Sequence, residues 1–441
     1  MEELTLKGLE ANLTILYLMV ASVLVFIMHP GFALVESGMT RAKNSANIIM
    51  KNVMTLAFGL VVYYAVGFGI MYGELFAGLF GTNGFALLNL TGHDPVAGSL
   101  SIDFLYQGMF AATTATIVSG AAAERMKFGS YMWVIAIMTS LVYPVVGAWK
   151  WGGGWLNELG FLDFAGSTIV HLTGGVAAFV VAAFLGARIG KFAKDGTVRV
   201  IPGHSIPLSA LGVLLLFFGW FGFNGGSVLA MNGTLIADVL VNTALAGAIG
   251  GCAAAWYTRM RYGKFDVGMS LNGILAGLVG VTAGADVLSQ GGSLAIGALA
   301  GVVVCLAVPL VDRMKVDDPV GAVSVHGICG ALGTLWVGIA HTTDGVLYGG
   351  GAGLLGVQAL GVAVVTAYVG VAAALMCLVL KATLGLRVSE EEEYEGLDIH
   401  EHGMYGYPEL ALGPAAYPGG PRTEPSGPAM APAPKPALQS S

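Results

Sequence analysis

The sequence predicts an all-α integral membrane protein: eleven transmembrane helices, arranged as a 5+5 inverted repeat plus a final helix, with the N-terminus outside and the C-terminus cytoplasmic. Three observations carry that expectation. Apolar stretches close to the length of a bilayer crossing recur along the chain, Lys and Arg fall in alternate loops, and one nine-residue pattern occurs twice in equivalent places. Composition points the same way. Of the 441 residues 56% are hydrophobic and 11% charged, with a mean hydropathy of +0.76, against roughly 25% charge in a soluble domain. The 67 glycines are about twice the usual share of roughly 7% and suit helices that pack closely in lipid.

Crossing about 30 Å of hydrocarbon takes roughly 20 apolar residues. Stretches of this kind lie near 10–29, 50–72, 103–122, 131–149, 163–186, 206–225, 236–257, 268–285, 292–311, 319–340 and 352–381. Gly, Pro and charged residues mark the breaks between them. The N-terminal MEELTLKGLE lacks the basic start of a secretory signal, so the first stretch is expected to remain as a helix. Lys and Arg cluster at 41–51, 125–127, 188–199, 259–264, 313–315 and 381–387, whereas Lys7 and Lys150 alone occupy the opposite loops. The positive-inside rule then sets the orientation.

Three regions follow from the pattern: a transmembrane domain at 1–384, a cytoplasmic regulatory segment at 385–411, and a Pro/Ala-rich tail at 412–441 expected to be disordered. The net charge of -7 owes much to the acidic run at 390–393 in the regulatory segment. Cys252, Cys305, Cys329 and Cys377 lie singly within apolar stretches and read as small core residues, with neither ligand nor disulfide spacing. There is no basic footprint for nucleic acid.

The repeated pattern carries the chemistry. DFAGSTIVH at 163–171 and DPVGAVSVH at 318–326 share the same Asp-to-His offset, with a glycine four residues after each histidine. Eight residues of helix rise roughly 12 Å, so two opposed helices would bring His171 and His326 together near the membrane middle. A lone membrane histidine is as easily a packing hydrogen bond as a functional group. A symmetry-related pair favours a pore-lining role, because ionisable groups at that depth are costly and mark pathways. Asp163 is expected to cap its helix by accepting backbone N–H groups and to lend a negative charge near a passing cation.

Aromatic residues supply a second cluster. Trp151 and Trp155 flank the fifth stretch in WGGGW, Phe110 lies within QGMF, and WFGFNGGS at the end of the sixth stretch holds Trp220, Phe223 and Ser227. Aromatic faces hold a partly desolvated cation by about 0.5–2 kcal/mol, and a hydroxyl adds an acceptor. Such a set without a carboxylate suits weak, quickly released binding. Trp155 reads instead as part of an interfacial aromatic belt.

Taken together these stretches resemble the ammonium transporter (Amt/Rh) family, in its bacterial or archaeal Amt-type form. The resemblance runs from about residue 12 to residue 408, through QGMFAATTATIVSGAAAERMKF, WGGGW with LDFAGSTIVH, GWFGFNGGS, DDPVGAVSVHGICG and GLRVSEEEEYEGLDIHEHG. It implies that Phe110, Trp151 and Ser227, supported by Asp163, recruit ammonium from outside. It further implies that Phe110 and Phe223 stack as a gate, that His171 and His326 are twin pore histidines, and that Trp220 lines the pore wall. Homotrimers with one pore per subunit, and docking of a PII-type signalling protein on the cytoplasmic segment 385–409, are implied as well. Two departures stand out: Gly321, where many bacterial members carry another Asp, and Glu36 in the otherwise apolar GFALVESGMTRAKN. For Glu36 a packing role against a neighbouring helix or subunit is favoured over transport chemistry.

The expected activity is recruitment of ammonium, its deprotonation near the gate, and conduction of ammonia past the histidines. No cofactor or metal is expected. An ammonium sensor that signals through its C-terminal segment is the alternative. An enzyme or an ATP-driven pump would need a nucleophile, metal cluster or phosphate-binding loop, and the sequence offers none of these motifs.

Overall fold

The computed structural model describes residues 5–408; the expected tail at 412–441 and the last residues of the regulatory segment lie outside them. The fold is a bundle of long helices: α1 Leu6–Met39, α2 Ala42–Tyr72, α3 Leu100–Ala121, α4 Phe128–Glu158, α5 Ser167–Leu185, α6 Ile206–Gly226, α7 Gly233–Tyr262, α8 Val267–Val281, α9 Gln290–Arg313, α10 Val323–Ala340 and α11 Gly353–Thr383. Among the described residues, nine of these are long and apolar enough to cross a membrane; α3 and α8 are the two that fall short. The reason for α3 is its place. Its sequence carries Gln107, Thr113, Thr114, Thr116 and Ser119, all buried among other helices, where polar groups find partners and no lipid is met.

Glycine sets how closely these helices approach. α1 lies along α6, where a Cβ on Gly212 would run into the backbone of Gly31 and Val35. α7, α8 and α9 form a second packed group, while α3 is wrapped by α1, α2 and α5. Between α2 and α3 the chain makes a hairpin absent from the sequence expectation, β1 Leu75–Phe76 antiparallel to β2 Phe80–Gly81. Its turn glycine, Gly78, has φ +71 and accepts from Trp155 N. Trp155 packs on Trp149, with ring centroids 5.7 Å apart.

Three other expectations change. α1 continues through Pro30 to Met39, past its expected end near 29, so Glu36 lies on the same helix. Cys252 is exposed on α7, unlike the three buried cysteines, because its helix presents that face outward. Lys51 and Arg125, read as loop cations, are buried: Lys51 donates to Ser119 O at 2.9 Å and Arg125 donates to Asp317 O at 2.7 Å.

Arg125 belongs to a charge cluster that ties the helix ends together on one face. Arg188 grips Asp317 with two bonds, Nε to Oδ2 at 2.8 Å and Nη2 to Oδ1 at 3.0 Å. It also reaches Glu124 at 3.3 Å, and Glu124 pairs with Arg41. Two further short helices, α12 Glu390–Glu395 and α13 Leu397–His402, follow α11 and lie on this face. Glu393 accepts from Ile189 N at 2.7 Å and from Arg387 at 2.6 Å, Asp398 accepts from Asn47 N at 2.8 Å, and Leu397 N donates to Asn44 at 2.9 Å. The C-terminal segment thus stitches together the start of α2 and the loop after α5.

Burial pushes the Asp317 carboxyl up, but the Arg188 hydrogen bonds and the charges of Arg188 and Arg125 overcome it and hold the group at about 2. A folded value below the unfolded one near 3.9 means a stabilisation present above that pH and lost as pH falls through about 2. Removing one partner of a buried pair strands the other charge and costs about 3–5 kcal/mol. Asp317→Asn is therefore expected to lower the thermal unfolding midpoint in detergent at pH 7, and the gap to wild type is expected to narrow as pH approaches 2.

Candidate functional site

The site is assembled by two backbone devices of the same design. Asp163 accepts from Gly166 N at 2.9 Å, Thr168 N at 2.9 Å and Ile169 N at 2.8 Å. Asp318 accepts from Gly321 N at 3.1 Å, Ala322 N at 3.0 Å and Val323 N at 2.7 Å. Each carboxylate satisfies donors that a helix start leaves unpaired. Gly166 and Gly321 take φ +109 and +80, a region open to glycine at no steric cost. Gly321, a departure by resemblance, is thus the counterpart of Gly166 in geometry.

Wide π-helical turns follow each cap, Ser167–Leu172 and Val323–Ile328, and each holds one histidine. Helical bonding starts at Ser167 and Val323, so both imidazoles sit within the first turns and not eight helical residues deep. The positive-φ glycine between Asp and helix is what interrupts the regular rise. The two turns touch because Gly175 meets the backbone of Gly327 and Gly330 meets Ser167 O, contacts that leave no room for a Cβ.

The structure brings His171 and His326 together, Nδ1 to Nδ1 at 3.1 Å, with rings 5.2 Å apart and 20° from parallel. Both are buried. A hydrogen bond between two neutral imidazole Nδ1 atoms needs one donor and one acceptor. One ring therefore turns an Nε2 lone pair outward and the other an Nε2–H. His171 Nε2 is buried and has no hydrogen-bond partner among the described residues. Trp220 stacks on His171 at 5.1 Å and anchors its indole N–H on Thr282 at 2.9 Å. Phe32 covers His326 from the other side at 5.9 Å.

Away from the tail face, Phe110 and Phe223 stack with centroids 4.0 Å apart and planes 21° apart, and Phe223 lies 5.5 Å from His171. Above the stack is a cavity of about 140 Å³ lined by Phe110, Trp151, Ser227, Tyr106, Gln107, Phe164 and others. Trp151 meets Phe110 edge-on at 6.0 Å and donates its indole N–H to Asp163 O at 2.9 Å. Ser227 Oγ donates to Phe223 O at 2.9 Å and contacts Tyr106 OH at 3.3 Å. Asp163 itself faces backbone donors, so it holds the site in place through the turn and through Trp151.

Two features of this cavity escape the sequence reading. Tyr106 stands one helical turn before Phe110, its ring 4.8 Å away; the i,i+4 spacing was the available signal. His93 and Asp103 also line the cavity, paired at 2.8 Å; His93 comes from a loop whose path carries no periodic pattern. Among the described residues no group of His, Cys, Asp and Glu is arranged to hold a metal ion.

The bundle of apolar helices defines a polytopic membrane protein. The chain matches the Ammonium Transporter Family over residues 16–407, and it belongs to that family. It is 39% identical to the ammonium transporter Amt2 of Archaeoglobus fulgidus, covering 90% of this chain and 89% of that protein. Its fold is similar to a solved structure titled Sensor Amt Protein, with a TM-score of 0.86 and 37% identity over 90% of this chain and 100% of the other. It is also similar to Mep2 of Candida albicans, with a TM-score of 0.79 and 30% identity over 86% and 87%. The protein is accordingly a multi-pass cell-membrane protein of an ammonium transport family.

Replacing Asp163 by Ala would leave three backbone N–H groups without their acceptor, at about 1–3 kcal/mol for each left buried and unpaired. Asp163→Ala is expected to unfold many degrees below wild type in detergent, with Asp163→Asn, which keeps one acceptor oxygen, in between. Equal midpoints for all three proteins would remove the cap from the account.

Proposed function

We propose that the chain recruits ammonium in the cavity bounded by Phe110, Trp151 and Ser227, deprotonates it at the Phe110–Phe223 stack, and conducts ammonia past His171 and His326. The single observation that supports this best is the Nδ1–Nδ1 contact of two buried imidazoles directly beneath a stacked phenylalanine pair. Moving an unpaired cation through hydrocarbon costs several kcal/mol. Ammonia needs only hydrogen bonds replaced, and the outward Nε2 atoms offer one acceptor and one donor for them. In this reading the proton shed at the gate follows the histidine pair, since a neutral imidazole takes a proton on one nitrogen and gives one from the other.

The proposal includes eleven membrane crossings, the nine apolar helices plus α3 and α8, arranged as the inverted repeat with α11 last. The twin Asp-capped π turns support that symmetry. It places the tail face in the cytoplasm, by the Lys and Arg bias, and assigns 1–384 to the transmembrane domain. It includes a homotrimer with one pore per subunit. It also assigns 385–411 as the segment on which a PII-type protein docks to regulate uptake, because its described part already bridges the start of α2 and the loop after α5 on the same face.

A second reading, ammonium sensing through this segment, is favoured by the likeness to the structure titled Sensor Amt Protein and by the bonds from Glu393 to Ile189 N just past α5. Transport and sensing separate in a protein truncated after residue 384. Transport in liposomes is expected to survive that truncation in reduced form, whereas binding of a PII-type protein is expected to vanish.

Two measurements test the pore. A cation–aromatic contact worth about 1–2 kcal/mol converts to about 5–30-fold in affinity. Phe110→Ala and Trp151→Leu should each raise the apparent KM for ammonium uptake by that factor; unchanged KM values would remove the aromatic site. In current recordings on reconstituted protein, wild type should carry an ammonium-dependent current that disappears when both imidazoles are replaced while uptake persists. Undiminished current in the double variant would reject the histidine relay.

A further inference from the structure

Below His326 lies a small cavity that the route just proposed leaves without chemistry. It has a volume of about 20 Å³ and is lined by His326, Phe32, Glu36, Thr116, Asn272 and Val320 among others. That is room for one molecule the size of water or ammonia. A larger cavity of about 390 Å³ continues from it toward the tail face, sharing Asn272 and Val320 and bringing Asp266, Asp312 and Asp318 to its wall.

Glu36 is the one carboxylate in the small cavity. It is 2% exposed, yet it is not consumed by a salt bridge. Oε2 accepts from Ser119 Oγ at 2.7 Å and from Asn52 Nδ2 at 3.1 Å, while no protein donor reaches Oε1 among the described residues. A buried carboxylate with one oxygen held and the other without a protein donor is costly. The groups that face it are few. α2 contributes Lys51, whose ammonium donates to Ser119 O and lies over the Tyr131 ring of α4 at 5.0 Å. The end of α3 places Glu124 and Arg125 beyond Lys51, α10 contributes His326, and α6 and α8 present Leu216, Asn272 and Leu275, none of them titratable. Lys51 is the nearby positive charge, and it is not within salt-bridge distance of Glu36 among the described pairs. A packing role accounts for Oε2 but leaves the orientation of Glu36 into a cavity with His326 unexplained.

We propose that Glu36 is the inner proton carrier of the pore, rejoining proton and ammonia on the cytoplasmic side; this rests on the ammonia-conduction and histidine-relay reading. The proton released at the gate leaves His326 through one water in the small cavity and protonates the Glu36 carboxylate, forming an O–H bond. Ammonia arriving in the same cavity takes that proton: the O–H bond breaks, an N–H bond forms, and an ammonium–carboxylate pair results. Ammonium then moves into the larger cavity toward the tail face, and Glu36 is again a carboxylate. One ammonium enters at the gate and one leaves, with no other reactant.

Glu36→Gln preserves size and can still accept from Ser119 and Asn52, but it cannot carry the proton. The test reconstitutes full-length wild type, Glu36→Gln and Glu36→Asp and records ammonium-dependent current and ammonium uptake together. Glu36→Gln is expected to lose at least 10-fold of the current with its KM at the outer site unchanged, and Glu36→Asp to recover part of it. Infrared difference spectra on adding ammonium should show a protonated-carboxyl band in wild type that shifts in Glu36→Asp and is missing in Glu36→Gln. Wild-type current in Glu36→Gln, or in Glu36→Asp together with an unshifted band should Glu36→Gln fail to fold, overturns the inference. Failure of the underlying reading looks different: wild type itself would then carry no current.

Discussion

Everything in this molecule is arranged around one contact, a hydrogen bond between two imidazoles buried within the bundle. A pair of ring nitrogens 3.1 Å apart in a low-dielectric interior is strong when formed and expensive when broken. It exists because two backbones come together over glycine, Gly175 on Gly327 and Gly330 on Ser167. Those backbones in turn start where two aspartates collect their free N–H groups. Losing either the small residues or the carboxylates would separate the rings, so the pair is the output of both halves of the bundle at once.

The same economy shows at the two ends of the interior. On one side, aromatic rings, a hydroxyl and the His93–Asp103 pair form the cavity wall, with the carboxylate of Asp163 turned to backbone N–H groups and its main-chain carbonyl holding Trp151. On the other, formal charge is abundant but nearly all committed, Arg188 to Asp317 and Glu124, Arg125 to backbone carbonyls, Glu393 to Arg387 and Ile189 N. The chain beyond α11 closes over this charged layer and bonds the start of α2 and the loop after α5. Glu36 stands apart from that layer, with one carboxylate oxygen unclaimed.

Much of this was legible in the residues. Helix limits agree with the apolar stretches to within a few residues in most cases, as at 206–225 against Ile206–Gly226, because lipid and the packed core enforce one length and one composition. The Asp-to-His repeat disclosed the histidine pair, and Asp163 capped its helix as its residue type suggested. Other features depend on partners distant in sequence. Lys51 and Arg125 looked like loop cations, and only the meeting of their helices with Ser119 and Asp317 buries them. Tyr106 was readable from its spacing to Phe110, whereas the His93–Asp103 pair needed the path of an irregular loop. The wide turns at both histidines, and the glycines at φ +109 and +80 that set them up, have no periodic signature at all.

The central claim is that the histidine-lined interior passes ammonia and refuses a bare cation of similar size. Potassium decides it, since it resembles ammonium in charge and has no proton to lose. Purified protein in liposomes, given equal inward gradients of both ions, should take up ammonium while potassium flux stays at the level of protein-free vesicles. Potassium entering at a rate comparable to ammonium would contradict the account.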